Sequence, residues 1–196
     1  MGQRLVITVE NNQEELAKIY YHWGAYTLSA LEYAKDIIDY LAQHPSLDIP
    51  LALIRYAESN GGGIDYSPEQ LQYLYLRYPA AIFKTKDMSR NDGLVAVTPK
   101  AMEDVQSCSE GDLWINIDTK IIENSLFFTY DSLDILNNDL GLHGDVRLTL
   151  AEIPEINYDP RFITFDDLPT VINSMSADLQ KNDYFIYDET IFTFIC

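Results

Sequence analysis

The residues that most often carry chemistry are sparse in this 196-residue chain, which has three histidines and two cysteines. None of them has a second histidine or cysteine at the spacing of a zinc site. His22 alternates with large aromatic residues, a pattern typical of a packed strand. His143 is close in sequence to Asp139 and Asp145, and these residue types bind divalent cations. A turn whose histidine faces water explains His143 more simply.

Other motifs also argue against a local catalytic site. The run Gly61-Gly62-Gly63 lacks the lysine of a phosphate-binding loop, and we interpret it as a flexible connection between helices. The aspartates of residues 131–139 lack the ligand order of a calcium-binding loop. No serine-hydrolase, kinase or dinucleotide-binding signature occurs. Cys196 is predicted to close an apolar strand. We therefore predict no enzyme activity, no cofactor and no metal site.

Charge is the informative property of this sequence. The chain has 31 acidic and 13 basic residues, a net charge of −18 and a pI near 4.2. Residues 1–100 carry 9 bases and 12 acids, whereas residues 101–196 carry 4 bases and 19 acids. This balance argues against direct binding to nucleic acid or to an anionic membrane. It favours a cationic partner for the second half.

The acids between Lys100 and Arg147 form the candidate partner-binding set, and Lys120 is the only base among them. The set contains Glu103, Asp104, Glu110, Asp112, Asp118, Glu123, Asp131, Asp134, Asp139 and Asp145. With one local base, this stretch cannot neutralise itself. A folded surface dense in carboxylates resembles a phosphate backbone and suits a basic nucleic-acid channel. A merely soluble surface is the simpler alternative.

Interleaved aromatic residues are candidate anchors for a protein partner, although their strand spacing also suits a core. They are Trp114, Phe127, Phe128, Tyr130 and Tyr158. A third alternative is self-association, because Lys84, Lys86 and Arg90 make one part of the first half locally basic. The sequence leaves the oligomeric state open.

The elements that must position these residues follow from periodicity. A hairpin is predicted over residues 5–23, with its turn at residues 11–13. Helices are predicted over residues 26–43, from Pro50 to Tyr56 and from Pro68 to Tyr78. Ser67 is the expected N-cap of the third helix, and Gln70 is its expected capping-box partner.

The second half is predicted to consist mainly of strands, at residues 93–98, 113–118, 121–130, 145–151, 184–187 and 191–195. Hairpin turns are expected at residues 118–120 and 188–189, and short helices at residues 132–137 and 167–177. The predicted fold class is α+β, with a hairpin-led helical N-terminal half packed on a mainly antiparallel β half. We expect one domain, with residues 1–90 and 91–196 as subdomains.

The first residues do not fit a targeting signal, because their apolar stretch is short and β-branched and no small-residue cleavage site follows. No apolar run is long enough to cross a bilayer. We predict an unprocessed protein in the cytoplasm.

The opening Gly2-Gln3-Arg4-Leu5-Val6-Ile7-Thr8-Val9, followed by Lys18-Ile19-Tyr20-Tyr21-His22-Trp23 and Ala25-Tyr26-Thr27, resembles small proteins of phages and mobile elements of Gram-positive bacteria. The resemblance covers about the first 30 residues and brings no catalytic motif. In size and charge the chain is similar to anti-CRISPR proteins that imitate DNA. This similarity implies an inhibitor of a bacterial defence nuclease, such as a CRISPR effector, in the host cytoplasm. The alternatives are a metal-dependent enzyme using His143 and an acidic assembly protein.

Overall fold

The structure is a computed structural model that describes residues 4–25, 27–86, 93–125 and 168–187. These residues form eight strands and five helices around one sheet. The strands are β1 (Leu5–Asn11), β2 (Glu14–Tyr21), β3 (Gly63–Asp65), β4 (Thr85–Lys86), β5 (Leu94–Ala96), β6 (Gly111–Asn116), β7 (Ile121–Ser125) and β8 (Phe185–Tyr187). The helices are α1 (Thr27–Gln43), α2 (Ile49–Ser59), α3 (Pro68–Arg77), α4 (Pro99–Gln106) and α5 (Leu168–Gln180).

Strand β1 lies inside a mixed sheet whose order is β4-β3-β5-β2-β1-β6-β7-β8. It pairs antiparallel with β2 and parallel with β6. All residues of β1 from Leu5 to Val9 are at most 1% exposed, so both faces of the strand are covered. This explains why its sequence is a continuous apolar run rather than an alternating one.

The predicted N-terminal hairpin is confirmed. Asn12 and Gln13 form its two-residue turn, with φ angles of 51° and 65°. Positive φ at both central positions matches the right-handed twist of the strands, and asparagine tolerates it well. The second predicted turn, at residues 118–120, also connects two antiparallel strands, β6 and β7.

Helices α1, α2 and α3 supply the main hydrophobic core on one face of the sheet. Leu31, Leu53 and Leu74 from the three helices are fully buried in the same core as Ile7 and Ile19. Met175 and Leu179 extend this core from α5. The three predicted helices of the first half are confirmed, and the predicted helix over residues 167–177 corresponds to α5.

Helix α4 packs on the opposite face, where Ala101, Met102 and Val105 contact Val6 and Tyr20. The sequence prediction missed this helix and extended the preceding strand to residue 98. The missed signal is the pair Thr98-Pro99. Thr98 accepts a hydrogen bond from the Ala101 backbone N–H, and Pro99 occupies the first turn, as in the correctly predicted start of α3.

The α+β composition is confirmed, but the predicted division into a helical half and a β half is not. Four of the eight described strands lie within residues 1–90, and they share one sheet with β5, β6, β7 and β8. Strands β1 and β2 need a hydrogen-bonded neighbour at each edge, and β6 and β5 from the second half supply these neighbours. Strands of both halves therefore form one sheet. The strands predicted at residues 145–151 and 191–195, the turn at 188–189 and the helix at 132–137 lie outside the described residues.

The Gly61-Gly62-Gly63 run is not the flexible connection that the sequence suggests. Gly63 begins strand β3, and a Cβ atom there would lie 2.4 Å from the Lys84 carbonyl oxygen. At Gly62, a Cβ atom would lie 2.3 Å from the Gly93 oxygen. The glycines are therefore needed for close packing between backbone segments.

Gln70 has a different role from the predicted capping box. Ser67 does cap α3, because its Oγ accepts from the Gln70 backbone N–H. The Gln70 side chain is fully buried, however, where it donates to the carbonyls of Asp65 and Val95 and accepts from the Val97 N–H. It connects α3 to strands β3 and β5.

We predict that Gly62→Ala lowers the free energy of unfolding by at least about 2 kcal/mol, because the added methyl group meets backbone atoms that side-chain rotation cannot move. Urea denaturation followed by tryptophan fluorescence measures this loss. Gly61→Asn is the matched control, since nothing lies within 4 Å of its Cβ position and asparagine tolerates the positive φ. Equal stability of Gly62→Ala and the wild type would contradict this packing.

Candidate partner-binding surface

Six of the ten predicted partner-binding acids lie in the described part of the chain. Glu103 and Asp104 are on α4, Glu110 precedes β6, Asp112 is on β6, Asp118 is in the β6–β7 turn and Glu123 is on β7. Asp131, Asp134, Asp139 and Asp145 lie outside the described residues, as do His143 and the aromatic residues Phe127, Phe128, Tyr130 and Tyr158. The structure therefore places about half of the predicted surface.

Most of the six acids lie on the α4 side of the sheet. Leu113, Ile115 and Ile122 point into the main core, so their neighbours Asp112, Trp114 and Glu123 face the other way. Strand register aligns Lys18, Thr8, Trp114 and Glu123 in one row across β2, β1, β6 and β7. At the usual strand spacing, this row is about 14 Å long. Asp118 lies at the end of the sheet instead.

A groove with a volume of about 760 Å³ lies between the start of β2 and helix α4 on this side. Glu14 and Glu15 of the hairpin line it together with Glu103, and Lys18 and Gln106 also line it. Glu14 and Glu103 are exposed. The acidic groove thus joins two segments almost 90 residues apart. Dividing the charges at residue 100 concealed this arrangement, because Glu14 and Glu15 belong to the less acidic half.

Two acids of the acidic stretch are neutralised by bases that lie outside it, so counting the bases within the stretch underestimates its ion pairs. The Lys100 ammonium lies 2.6 Å from Asp104, and the Arg4 guanidinium lies 2.8 Å from Glu110. The Arg4 backbone N–H also donates to Glu110, at 3.0 Å. These hydrogen bonds from Arg4 hold the pKa of Glu110 below its usual value. Arg4 immediately precedes β1 and Lys100 lies on α4, so the fold brings both bases next to acids of the stretch.

Lys18 has an unusual position for a charged residue, since only 6% of it is exposed. Its ammonium group lies 3.0 Å from Glu15 and donates to the Gln106 side chain at 2.8 Å. Gln106 in turn donates to Asp112, which also accepts from Ser109. This polar network runs from β2 through α4 to β6. The Asp112 carboxylate is bound by hydrogen bonds within it.

Four predicted site residues are exposed. Asp104 pairs with Lys100, whereas the other three, Glu103, Asp118 and Glu123, form no ion pair with another described residue. Glu14 has the same properties and was missed by the sequence prediction. Trp114, half-buried beside Glu123, is the one predicted aromatic anchor that falls in the described residues. The free carboxylates of this side therefore cluster at the groove and along the Trp114 row.

The histidines and cysteines show no catalytic arrangement in the described part of the chain. His22 is half-buried with its Nδ1 atom 3.0 Å from the Tyr20 hydroxyl, and Cys108 packs beside α4. No group of three or more His, Cys, Asp or Glu residues that could hold a metal ion occurs among the described residues. Among the described residues of the predicted basic patch, Lys84 donates to the Glu58 carbonyl oxygen; Arg90 lies outside them.

Comparison of the chain with protein-family models, curated proteins and solved structures found no match. No helix in the described part of the chain is both long and apolar enough to cross a membrane.

The Arg4–Glu110 pair predicts a specific pH dependence. Because the pKa of Glu110 is lowered in the folded state, its contribution to stability is present above the unfolded value near 4.5 and disappears as the pH falls through the folded value. We expect Glu110→Gln to reduce the free energy of unfolding at pH 7 by about 1 kcal/mol or less, since the pair is partly exposed. The difference from the wild type should shrink as the pH falls below about 4.5 and vanish once the pH lies below the lowered pKa of folded Glu110.

Urea denaturation at a series of pH values measures this effect. In an Arg4→Met background, Glu110→Gln should have no pH-dependent effect. If the substitution has the same pH-dependent effect with and without Arg4, the pair does not cause it.

Proposed function

We propose that this protein is an inhibitor, encoded by a phage or mobile element, that blocks the basic nucleic-acid channel of a bacterial defence nuclease such as a CRISPR effector. The observation that carries the proposal is the groove between the β1–β2 hairpin and α4, with exposed carboxylates from both sides. In this role the protein acts in the cytoplasm of the bacterial host and needs neither a cofactor nor catalysis.

The arrangement of the groove suits a cationic partner. Glu14 and Glu103 form no ion pair within the described residues, so both carboxylates are available to arginine or lysine side chains. A charged concave surface also concentrates the field and accelerates association with a partner of opposite charge. The overall charge of −18 adds a long-range attraction that salt screens.

Rigidity also supports the proposal. Glu14 belongs to the paired end of β2, and Glu103 belongs to a helix that is capped by Thr98 and anchored by Met102 and Val105. Carboxylates on regular elements lose less conformational entropy when they bind than carboxylates on free loops. The fixed spacing of negative charge is what a nucleic-acid mimic requires.

The test compares the wild type with Glu14→Lys/Glu103→Lys as bait in a bacterial lysate that contains a defence nuclease. The matched control is Asp36→Lys/Asp178→Lys, which changes the net charge equally but on α1 and α5, away from the groove. We expect the wild type and the control to retain a basic nuclease at about 0.1 M salt and to release it at about 0.5 M, because the contacts are ionic.

The groove variant should fail to retain the nuclease at either salt concentration. Recovered nuclease is then assayed for binding of its nucleic acid, which the wild type should block. Equal retention by the wild type and the groove variant, or a complex that does not exclude nucleic acid, would refute the proposal.

A further inference from the structure

A second cavity, distinct from the acidic groove, lies where the C-terminal end of α1 meets the β6–β7 turn and the α5–β8 connection. Its volume is about 230 Å³. The apolar residues Ile38, Leu41, Leu47, Ile49 and Ile117 form much of its lining. They come from the main-core side of the sheet, so the cavity is a recess at the edge of the core.

Lys120 is the only lining residue with a permanent charge. Its ammonium group lies 4.5 Å from the centre of the Tyr184 ring and donates to the Tyr184 hydroxyl at 3.3 Å. No carboxylate of a described residue forms an ion pair with it. Seven of the other described lysines and arginines do have such a partner. Lys120 therefore lines the recess as a cation that contacts an aromatic ring and pairs with no described carboxylate.

Two further polar side chains line the same recess. The Nδ1 atom of His44 donates to the Tyr40 carbonyl oxygen at 2.8 Å, and the ring stacks on Tyr40. This bond requires a proton on Nδ1, and Nε2 has no partner among the described residues. Asn182 donates one amide hydrogen to Asp39 at 2.7 Å, and its second amide hydrogen makes no bond to another described residue.

Neighbouring acids do not cancel the positive charge of Lys120 in the recess. Asp39 is bound by Lys35 and Asn182, and Asp178 is bound by Lys181. Neither acid lines the cavity. Asp118 and Asp183 are close to the cavity in sequence, but both are exposed to water and neither lines it. The recess therefore combines apolar side chains with the Lys120 cation and the polar groups of His44 and Asn182.

We propose that this cavity binds a small aliphatic carboxylate, with the carboxylate at Lys120 and the hydrocarbon chain against Ile38, Leu41 and Ile117. An apolar lining with a few polar groups that set orientation is the general form of a small-molecule site. The volume is below the roughly 300 Å³ at which sites for drug-sized ligands begin, so the ligand is small. One cation matches a monoanion rather than a polyphosphate. A cationic ligand would find no carboxylate in the lining.

The test is titration of the full chain with 4-methylpentanoate, followed by isothermal calorimetry and by NMR shifts of labelled protein. The matched ligands are 4-methylpentan-1-ol, which lacks the charge, and 4-methylpentylamine, which reverses it. We expect saturable binding of the carboxylate and at least about tenfold weaker binding of the other two, since a charged hydrogen bond is lost. NMR shifts should centre on Lys120, His44 and Tyr184.

Lys120→Met keeps the length and the left-handed backbone position of residue 120 but removes the charge. It should weaken carboxylate binding at least about tenfold while leaving alcohol binding unchanged. Lys181→Met is the charge-matched control, because Lys181 is exposed and does not line the cavity. Ala42→Trp, which fills the recess from an exposed position, should abolish binding of all three ligands.

No saturable binding by the wild type, equal carboxylate affinity in Lys120→Met, or amine binding as tight as carboxylate binding would each overturn the proposal. None of these results bears on the acidic groove, which shares no lining residue with this cavity.

Discussion

The burial of β1 on both faces is the constraint on which the rest of the described fold depends. Residues from Leu5 to Val9 are apolar or β-branched without interruption, and a strand of this kind must have a neighbour at each edge and a layer on each face. β2 and β6 supply the edges, while α1 to α3 cover one face and α4 covers the other. This requirement places α4, and with it Glu103 and Asp104, directly above the hairpin.

The same arrangement explains why the acidic surface can exist at all. Glu10 and Glu15 are cross-strand partners, and like charges in that position destabilise a sheet. Lys18 compensates for Glu15, and the Asn116 amide donates to Glu10 at 2.7 Å. These contacts give each of the two facing acids a partner, while the exposed carboxylates of Glu14 and Glu103, which form no ion pair with a described residue, stay in water, where their repulsion is weak.

Local patterns predicted much of the fold, and the failures have identifiable causes. The hairpin, α1, α2, α3 and α5 follow from periodicity and from capping residues that act within a few positions. The glycine run and Gln70 were misinterpreted because their roles depend on Gly93, Lys84 and Val97, which are more than 20 residues away. A single sequence contains no signal for such contacts. The start of α4, in contrast, followed a rule that had correctly identified the start of α3.

The candidate sites show a similar limit. Counting charge along the chain identified the acidic second half, but an ion pair depends on distance in space, and Arg4 and Lys100 neutralise two of the acids that the count treated as free. The converse holds for Lys120. It is the only base in its stretch of sequence, yet it lies over Tyr184 in an apolar recess and forms no ion pair with a described acid. A cation that avoids abundant carboxylates is held there by local structure, since long-range attraction alone would favour pairing. For that reason the recess at Lys120 and the groove at Glu14 and Glu103 are separate features, one lined by a cation and the other by exposed carboxylates.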